Sequence, residues 1–268
     1  MIHSYLFVPG NRPERFPKAT ACGAGAVIVD LEDAVPVVDK RTARAAVCAW
    51  LQETDGAAWV RVNGTQTDFF EDDLRALAGM PLLGLVLPKA ESADELRRVA
   101  AMLGERAIPV IPVIESAVGL WHALAIASGA RTERLAFGSV DFQLDTGIPG
   151  EGDALLYARS QLVLVSRIAR IAPPIDGVTL ELGDTLQLER DVAHARCLGF
   201  GAKLCVHPSQ IAAVERGFAP GDDDIRWARA VVNAYEQAAG SAVRLEGKLI
   251  DLPVVERARR LLDGVVTK

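Results

Sequence analysis

The sequence predicts an α/β protein: a closed (β/α)₈ barrel (a TIM barrel) followed by a short C-terminal extension of helices and a hairpin. Eight short apolar runs alternate with longer amphipathic segments over the first 218 residues. The runs are rich in Val, Ile and Leu and are continuously apolar, as in parallel strands that are buried on both faces. Right-handed crossovers between eight such strands close a barrel. An open doubly wound sheet is the rival architecture, but no GxGxxG motif follows the first run.

Each predicted element follows from a local pattern. The predicted strands are residues 5–8, 26–29, 59–62, 84–87, 110–114, 135–137, 175–180 and 203–206. The clearest helices are predicted over residues 39–53, 92–103, 153–171 and 184–198. Asp39 and Asp184 are candidate N-caps, and Ser92 with Glu95 forms the pattern of a capping box.

The barrel is predicted to span residues 1–218 as the catalytic domain, and residues 219–268 form the extension. In the extension we expect a helix over 222–239, a short segment over 243–250 and a helix over 253–264. So few residues rarely form an independent core. We therefore expect the extension to pack on the barrel or on a neighbouring subunit.

Composition excludes several classes of protein. The 268 residues carry 29 basic and 35 acidic side chains, a net charge of −6, and 50% are apolar. This composition excludes extensive disorder, and the acidic balance argues against nucleic-acid binding. No apolar run is long enough to span a membrane, and no signal-peptide pattern opens the chain, so a cytoplasmic location is expected. The four scattered cysteines suggest neither a zinc site nor a disulfide framework.

Ionisable residues follow almost every predicted strand, at the barrel end where active sites are built. They are Asp30, Glu32, Asp33, Arg61, Lys89, Glu115, Asp141, Glu181 and His207. Glu115 and Asp141 follow adjacent strands and could converge on one point. Since no His or Cys accompanies them, oxygen ligands for Mg²⁺, or alternatively Mn²⁺, are favoured. The competing interpretation is a set of salt bridges with Arg61 and Lys89 that ties the rim together.

Three other rim residues leave alternatives open. The guanidinium of Arg61 suits a substrate carboxylate, but an ion pair with Glu32 or Asp33 is equally compatible with its position. Lys89 could form a Schiff base only with a depressed pKa, which acidic neighbours oppose, so a structural or charge-balancing role is preferred. His207 is either a base or a hydrogen-bonded structural residue, and the structural interpretation is preferred because a lone His more often has that role.

Several motifs together resemble one known family. They are "SYLFVPGNRPERF", "VIVDLEDAV", "RVNG", "LVLPKAES", "PVIESAVGL", "LAFGSVDFQLDTG", "LLYARSQLVL" and "KLCVHPSQI". In this order and spacing they resemble the citrate lyase β-subunit-like branch of the HpcH/HpaI aldolase superfamily. The resemblance implies a TIM barrel assembled as homotrimers or hexamers. It also implies Mg²⁺-dependent cleavage or formation of carbon–carbon bonds in hydroxyacyl-CoA thioesters such as citramalyl-, malyl- or citryl-CoA.

The resemblance also implies roles for individual residues. By motif, Glu115 and Asp141 resemble the metal ligands, and Arg61 resembles the arginine that holds the 2-oxo-acid. Glu32 and Asp33 resemble acids that support water in the site, with Asp33 also a candidate catalytic residue. Two further residues are carried over: Gly138 in "FGSVD" as part of the substrate site, and Asp251 in "KLIDLPVV" as a C-terminal acid placed over a neighbouring subunit's site.

The function expected from this resemblance is a retro-Claisen lyase that yields an acyl-CoA and a 2-oxo-acid. Hydrolysis of the thioester on the same scaffold is one alternative, and CoA-independent aldol chemistry on pyruvate is another. A third, of a different class, is a non-catalytic subunit that binds an acyl carrier protein.

Overall fold

The computed structural model describes residues 2–54 and 58–266, and it contains two compact units. The first unit, Ile2–Phe218, is the barrel unit. The second begins at Ala219.

Eight parallel strands close the barrel in sequential order, which confirms the predicted fold. The strands are β1 (Ser4–Pro9), β2 (Ala26–Asp30), β3 (Trp59–Arg61), β4 (Gly84–Leu87), β5 (Val110–Ile114), β6 (Ala136–Phe137), β7 (Ile175–Asp176) and β8 (Ala202–Cys205). The first strand pairs with the last, with Tyr5 opposite Leu204, so the sheet has no free edge.

Helices follow the strands and form the outer layer of the barrel unit. They are α1 (Phe16–Thr20), α2 (Lys40–Glu53), α3 (Phe70–Leu77), α4 (Ala93–Met102), α5 (Ala117–Trp121), α6 (Ala123–Ala127), α7 (Ser139–Thr146), α8 (Leu156–Ala169), α9 (Thr185–Leu198) and α10 (Ile211–Phe218). Short 3₁₀ turns lie between some of these elements. The predicted capping box forms at α4, where Ser92 accepts from the Glu95 amide, and Asp184 caps α9.

Alternate side chains of each strand pack on opposite sides of the sheet. One apolar cluster fills the interior of the barrel and includes Tyr5, Ile28, Trp59, Val86, Ile111 and Leu204. A second, larger cluster lies between the strands and the helices. Both faces of the sheet are therefore buried, which explains why the strands are continuously apolar in sequence.

Two local predictions are wrong. Asp39 makes no side-chain cap at α2, because its carboxylate accepts from the Asn11 amide instead. Strand β7 ends at Asp176, although the apolar run predicted a strand over residues 175–180. The carbonyl of Gly177 accepts from the Lys203 ammonium at 2.7 Å, so a side chain satisfies it where a strand neighbour would otherwise do so.

The second unit consists of α11 (Asp222–Gln237), the antiparallel strands β9 (Val243–Leu245) and β10 (Lys248–Ile250), and α12 (Leu252–Val266). Despite its short length it contains an apolar cluster of its own, formed by Ala228, Val231, Ile250, Val255 and Ala258. Its packing against the barrel or a neighbouring subunit stays a prediction. Among the helices of the described residues, none is both long enough and apolar enough to cross a bilayer.

Candidate active site at the rim of the barrel

Arg61 and Asp30 form a bidentate ion pair at the carboxyl ends of β3 and β2. The two residues lie opposite each other in the sheet. Nε and Nη2 of Arg61 donate to the two carboxylate oxygens of Asp30, each at 2.7 Å. Burial alone would lower the pKa of Arg61, but Asp30 and Glu32 raise it, so the guanidinium remains charged. Asp30 makes the shortest contacts to Arg61, although the sequence predicted Glu32 or Asp33 as the ion-pair partner.

Glu32 and Asp33 follow β2 and complete an acidic group around Arg61. Glu32 is buried, and its Oε2 lies 3.0 Å from Nη1 of Arg61 but has no hydrogen-bond partner. Burial raises the pKa of Glu32, and Arg61 partly offsets this effect. Asp33 is exposed and lies 3.6 Å from Arg61. Of the two acids, Glu32 therefore offers an unused acceptor within the site.

Lys89 contributes to the site through both its side chain and its backbone. Its ammonium donates to Glu32 at 2.7 Å, and this contact raises the pKa of Lys89 even though burial alone would lower it. A Schiff-base lysine needs the opposite shift. Its backbone adopts a left-handed conformation, with φ 50°, and the amide donates to Oε1 of Glu115 at 2.6 Å. Lys89 thus balances the charge of one acid and orients another.

Glu115 follows β5 and is almost completely buried. Burial, together with the negative charges of Glu32 and Asp141, raises the pKa of Glu115 to about 8. Gly138 makes room for this carboxylate, because a Cβ at that position would lie 2.3 Å from Oε2 of Glu115. Its amide already donates to the Ile114 carbonyl, so Gly138 supplies space rather than a free donor.

Asp141 lies in the first turn of α7, four residues beyond the end of β6. Its carboxylate is close enough to Glu115 to raise the pKa of that group. Both acids line a small cavity of about 60 Å³ together with Arg61 and Gly138. The structure therefore brings together four of the predicted site residues in one cavity.

Other predicted rim residues lie elsewhere or have structural contacts. Glu181 is exposed and lines a separate, larger cavity. His207 interacts through Nδ1 with Ser209 at the start of the 3₁₀ turn after β8, in keeping with its structural interpretation. Asp251 lies in the second unit, where its side chain accepts from the Val254 amide at the start of α12.

The cavity has the chemistry of a hard-cation site. Within residues 2–54 and 58–266, no three His, Cys, Asp or Glu side chains gather closely enough to hold an ion by themselves. Mg²⁺ does not require three, because it keeps several waters and takes one or two protein carboxylates. Glu115 is a buried carboxylate whose nearest ammonium, that of Lys89, hydrogen-bonds to Glu32. The free acceptor of Glu32 could in addition hold a water molecule. These residues fit Mg²⁺ better than a softer metal.

The fold and the rim define a class of protein: a parallel barrel with an acidic, arginine-containing pocket at the carboxyl ends of its strands. Residues 3–208 match the family model described as HpcH/HpaI aldolase/citrate lyase. The chain belongs to this family, as its motifs indicated.

Similar proteins share nearly the whole length of the chain. A citrate lyase subunit beta-like protein of Deinococcus radiodurans is 37% identical over 98% of this chain and 96% of the relative. A (3S)-malyl-CoA thioesterase of Cereibacter sphaeroides is 30% identical, over 97% and 93% respectively. The crystal structure of CitE from Mycobacterium tuberculosis with magnesium, acetoacetate and coenzyme A is 32% identical, with a TM-score of 0.85 over 98% of each chain.

Proposed function

We propose that the chain is a Mg²⁺-dependent carbon–carbon lyase that cleaves a hydroxyacyl-CoA thioester into an acyl-CoA and a 2-oxo-acid. The observation that carries the proposal is the shared cavity of Glu115, Asp141 and Arg61. In this cavity, two acids that could hold a hard cation lie with a guanidinium that could hold a carboxylate, which supports the proposal. The CitE structure that is similar to this chain contains magnesium, a small oxo-acid and coenzyme A, which supports the same ligand chemistry here.

Glu115 and Asp141 are the residues that would hold Mg²⁺, with Mn²⁺ as the alternative cation. When bound, the cation would supply Lewis-acid polarisation of a keto oxygen and a template for the oxo-acid. The Lys89 amide holds Glu115 in place for this role. Glu32, with its free oxygen, and Asp33 at the rim are the acceptors for water in the site.

Arg61 is proposed to bind and orient the carboxylate of the 2-oxo-acid. Asp30 uses two of the five guanidinium N–H groups. Nη1 lies 3.0 Å from the Glu32 carboxylate, so a substrate carboxylate would share this nitrogen with Glu32. The bidentate contact also fixes the plane of the guanidinium before substrate arrives, which favours catalysis. Gly138 contributes space at the cavity wall, where any side chain would collide with Glu115.

The cleavage reaction needs one base and one acid. A base removes the proton of the substrate hydroxyl, the carbon–carbon bond breaks, and the electrons pass to the thioester as an enolate. Protonation of the enolate carbon then yields the acyl-CoA. Asp251 is proposed as the acid for this last step, or as the base in the reverse direction. Asp33 is the candidate within the barrel unit for proton transfer at the rim.

The substrate class can be tested directly. The purified chain is expected to convert at least one of citramalyl-CoA, malyl-CoA or citryl-CoA to an acyl-CoA and a 2-oxo-acid in the presence of Mg²⁺ and to stop when EDTA is added. Mass spectrometry of the products measures both outcomes. Turnover that is unaffected by EDTA would contradict the metal assignment. Exchange of the pyruvate methyl protons for deuterium in D₂O without CoA would favour the aldolase alternative.

Thioester hydrolysis is the second candidate, and the similarity to a (3S)-malyl-CoA thioesterase favours it specifically. The product mixture separates the two reactions, since hydrolysis releases free CoA and an intact hydroxy acid. A chain that turns over no thioester alone but becomes active with an added partner would instead support the acyl-carrier-binding alternative.

We also propose that the chain self-associates as a homotrimer or hexamer. Exposed apolar side chains on neighbouring helices of the barrel unit support this proposal, because water-soluble surfaces rarely keep a large apolar patch uncovered. They include Trp121 on α5, Leu124 on α6, and Tyr157, Leu164 and Ile168 on α8.

The Asp251→Asn variant is expected to lose about 100-fold or more in turnover while Mg²⁺ affinity stays unchanged, because the acid would act on protons and not on the metal. Steady-state kinetics and metal titration measure the two quantities. Mixing this variant with Glu115→Gln chains tests sharing between subunits, since exchanged oligomers would regain activity only if the acid and the metal site come from different chains. Unchanged turnover in Asp251→Asn would remove this residue from the mechanism.

A further inference from the structure

A second cavity, of about 640 Å³, lies on the outer side of the barrel wall. It is lined by residues of α7, α8 and α9, of the turn before α8 and the loop after β7, and by one residue each of β7 and β8. Asp176 and Lys203 belong to these strands, and their neighbours Ile175, Ala202 and Leu204 fill the barrel interior. By alternation, Asp176 and Lys203 therefore point outward, toward the helices.

A buried ionic cluster in the lining of this cavity contains two cations and one acid. Arg159 of α8 and Lys203 of β8 both contact the carboxylate of Asp176, at 3.0 Å each. All three side chains are at least nine-tenths buried. One carboxylate thus faces two buried cations, and burial makes the remaining charge costly unless another acceptor approaches.

Among the residues that the structure describes, two that line the cavity each have a buried nitrogen atom without a hydrogen-bond partner. These atoms are Nη1 of Arg159 and Nε2 of His194. Nη2 of Arg159 lies 3.8 Å from the carboxylate of Glu151. Glu151 is well exposed, so it screens this guanidinium weakly. A buried donor left without an acceptor costs free energy that a ligand oxygen would recover.

The other acids at this cavity do not supply the missing acceptor. Asp191 accepts from the side chains of Thr179 and Gln187, and Asp184 caps α9. Glu181 is exposed. The buried end of the cavity therefore presents donors, and the acids that could compete lie mainly toward solvent or have partners of their own.

We propose that this cavity binds a small oxyanion, a carboxylate or a phosphate group, against the guanidinium of Arg159, with Glu151 as the chain's own competing carboxylate. The guanidinium supplies a charge-assisted hydrogen bond in a planar arrangement that suits either group. The cavity volume lies within the range of small-molecule sites. The candidate active site is a different cavity, although Val140 and Val178 contribute to the walls of both.

Calorimetric titration of the full chain with inorganic phosphate and, separately, with malonate tests the proposal. Saturable binding of at least one anion is expected, and the two arms identify which oxyanion is preferred. Arg61→Lys, which alters the guanidinium of the candidate active site, should bind it as the unchanged chain does. Loss of anion binding in Arg61→Lys would place the anion in the candidate active site and overturn the proposal.

Two variants probe the residues themselves. Arg159→Lys keeps the buried positive charge but loses the planar guanidinium, so the affinity for the anion is expected to fall about tenfold. Arg167→Lys, an exposed arginine on the same helix, is the matched control and should bind as the unchanged chain does. Glu151→Gln removes the competing carboxylate and should increase the affinity for the anion severalfold. Because Glu151 is exposed, this variant is expected to fold normally. Failure of both the unchanged chain and Glu151→Gln to bind either anion would refute the site.

Discussion

The Glu115→Gln variant is expected to lose Mg²⁺ binding and to retain less than about 1% of lyase activity, because loss of even a supporting interaction in a metal site costs about 10–100-fold. Glutamine preserves the shape of the side chain and can still accept from the Lys89 amide, but it supplies no negative charge to a cation. Magnesium titration by calorimetry, together with thioester turnover at saturating substrate, measures the effect.

Glu53→Gln is the matched control, since it makes the same chemical change at an exposed position at the end of α2. That variant should bind Mg²⁺ and turn over substrate normally. Full activity in Glu115→Gln would show that the buried acids only tie the rim together through salt bridges, which is the interpretation that the sequence left open.

The Asp176→Asn variant is expected to lower the free energy of unfolding by about 3–5 kcal/mol, because it leaves two buried cations without a counter-charge. Lys203 and Arg159 both contact this carboxylate, and neither can move into water without disturbing the barrel wall. Urea denaturation followed by fluorescence or circular dichroism measures the change. A loss no larger than that of a surface substitution would contradict the assignment of Asp176 as the centre of a buried ionic cluster.

The Asp176 carboxylate also predicts how the stability of the protein depends on pH. Burial would raise the pKa of Asp176, but Lys203 and Arg159 overcome this effect and lower it. Its stabilising contribution is therefore present above the ordinary pKa of an aspartate and is lost as the pH falls through the lowered value. Glu71→Gln, which disrupts exposed ion pairs with Arg75 and Arg98, should change stability little.

The architecture could be predicted from sequence because eight apolar runs of strand length leave few alternatives. Burial on both faces removes the polar alternation that would otherwise mark strands, and this very absence identifies a parallel sheet. The end of β7 could not be predicted, since the apolar run continues past Asp176. The Lys203 ammonium donates to the Gly177 carbonyl and so takes the place of a strand neighbour there.

The sequence predicted which residues lie at the candidate site, but it did not predict which of them contact one another. The position after each strand identified Glu115 and Arg61, because parallel strands bring their carboxyl ends to one rim. The Asp30–Arg61 contact depends on sheet register, which no local pattern reveals. The left-handed backbone of Lys89 could not be predicted from the sequence either. In the structure, this conformation accompanies the hydrogen bond from the Lys89 amide to Glu115.

The buried ionic cluster of Asp176, Lys203 and Arg159 could not be predicted from the sequence for a related reason. Asp176 and Lys203 lie inside apolar runs and resemble isolated exceptions in sequence. Their partner, Arg159, lies on α8, which precedes both strands in the chain. Charged residues within apolar strands are a signal of such clusters, although their partners emerge only from the packing of helix on sheet.

The pairing of β1 with β8 also sets the order of events during synthesis. The amino-terminal strand finds one of its two hydrogen-bonded neighbours only after almost all of the barrel unit has been made, because that neighbour is Ala202–Cys205. Until then its outer row of amides and carbonyls has no permanent partner on a growing chain. The nascent polypeptide must therefore avoid premature edge-to-edge association, and ring closure becomes a late and slow event in its maturation.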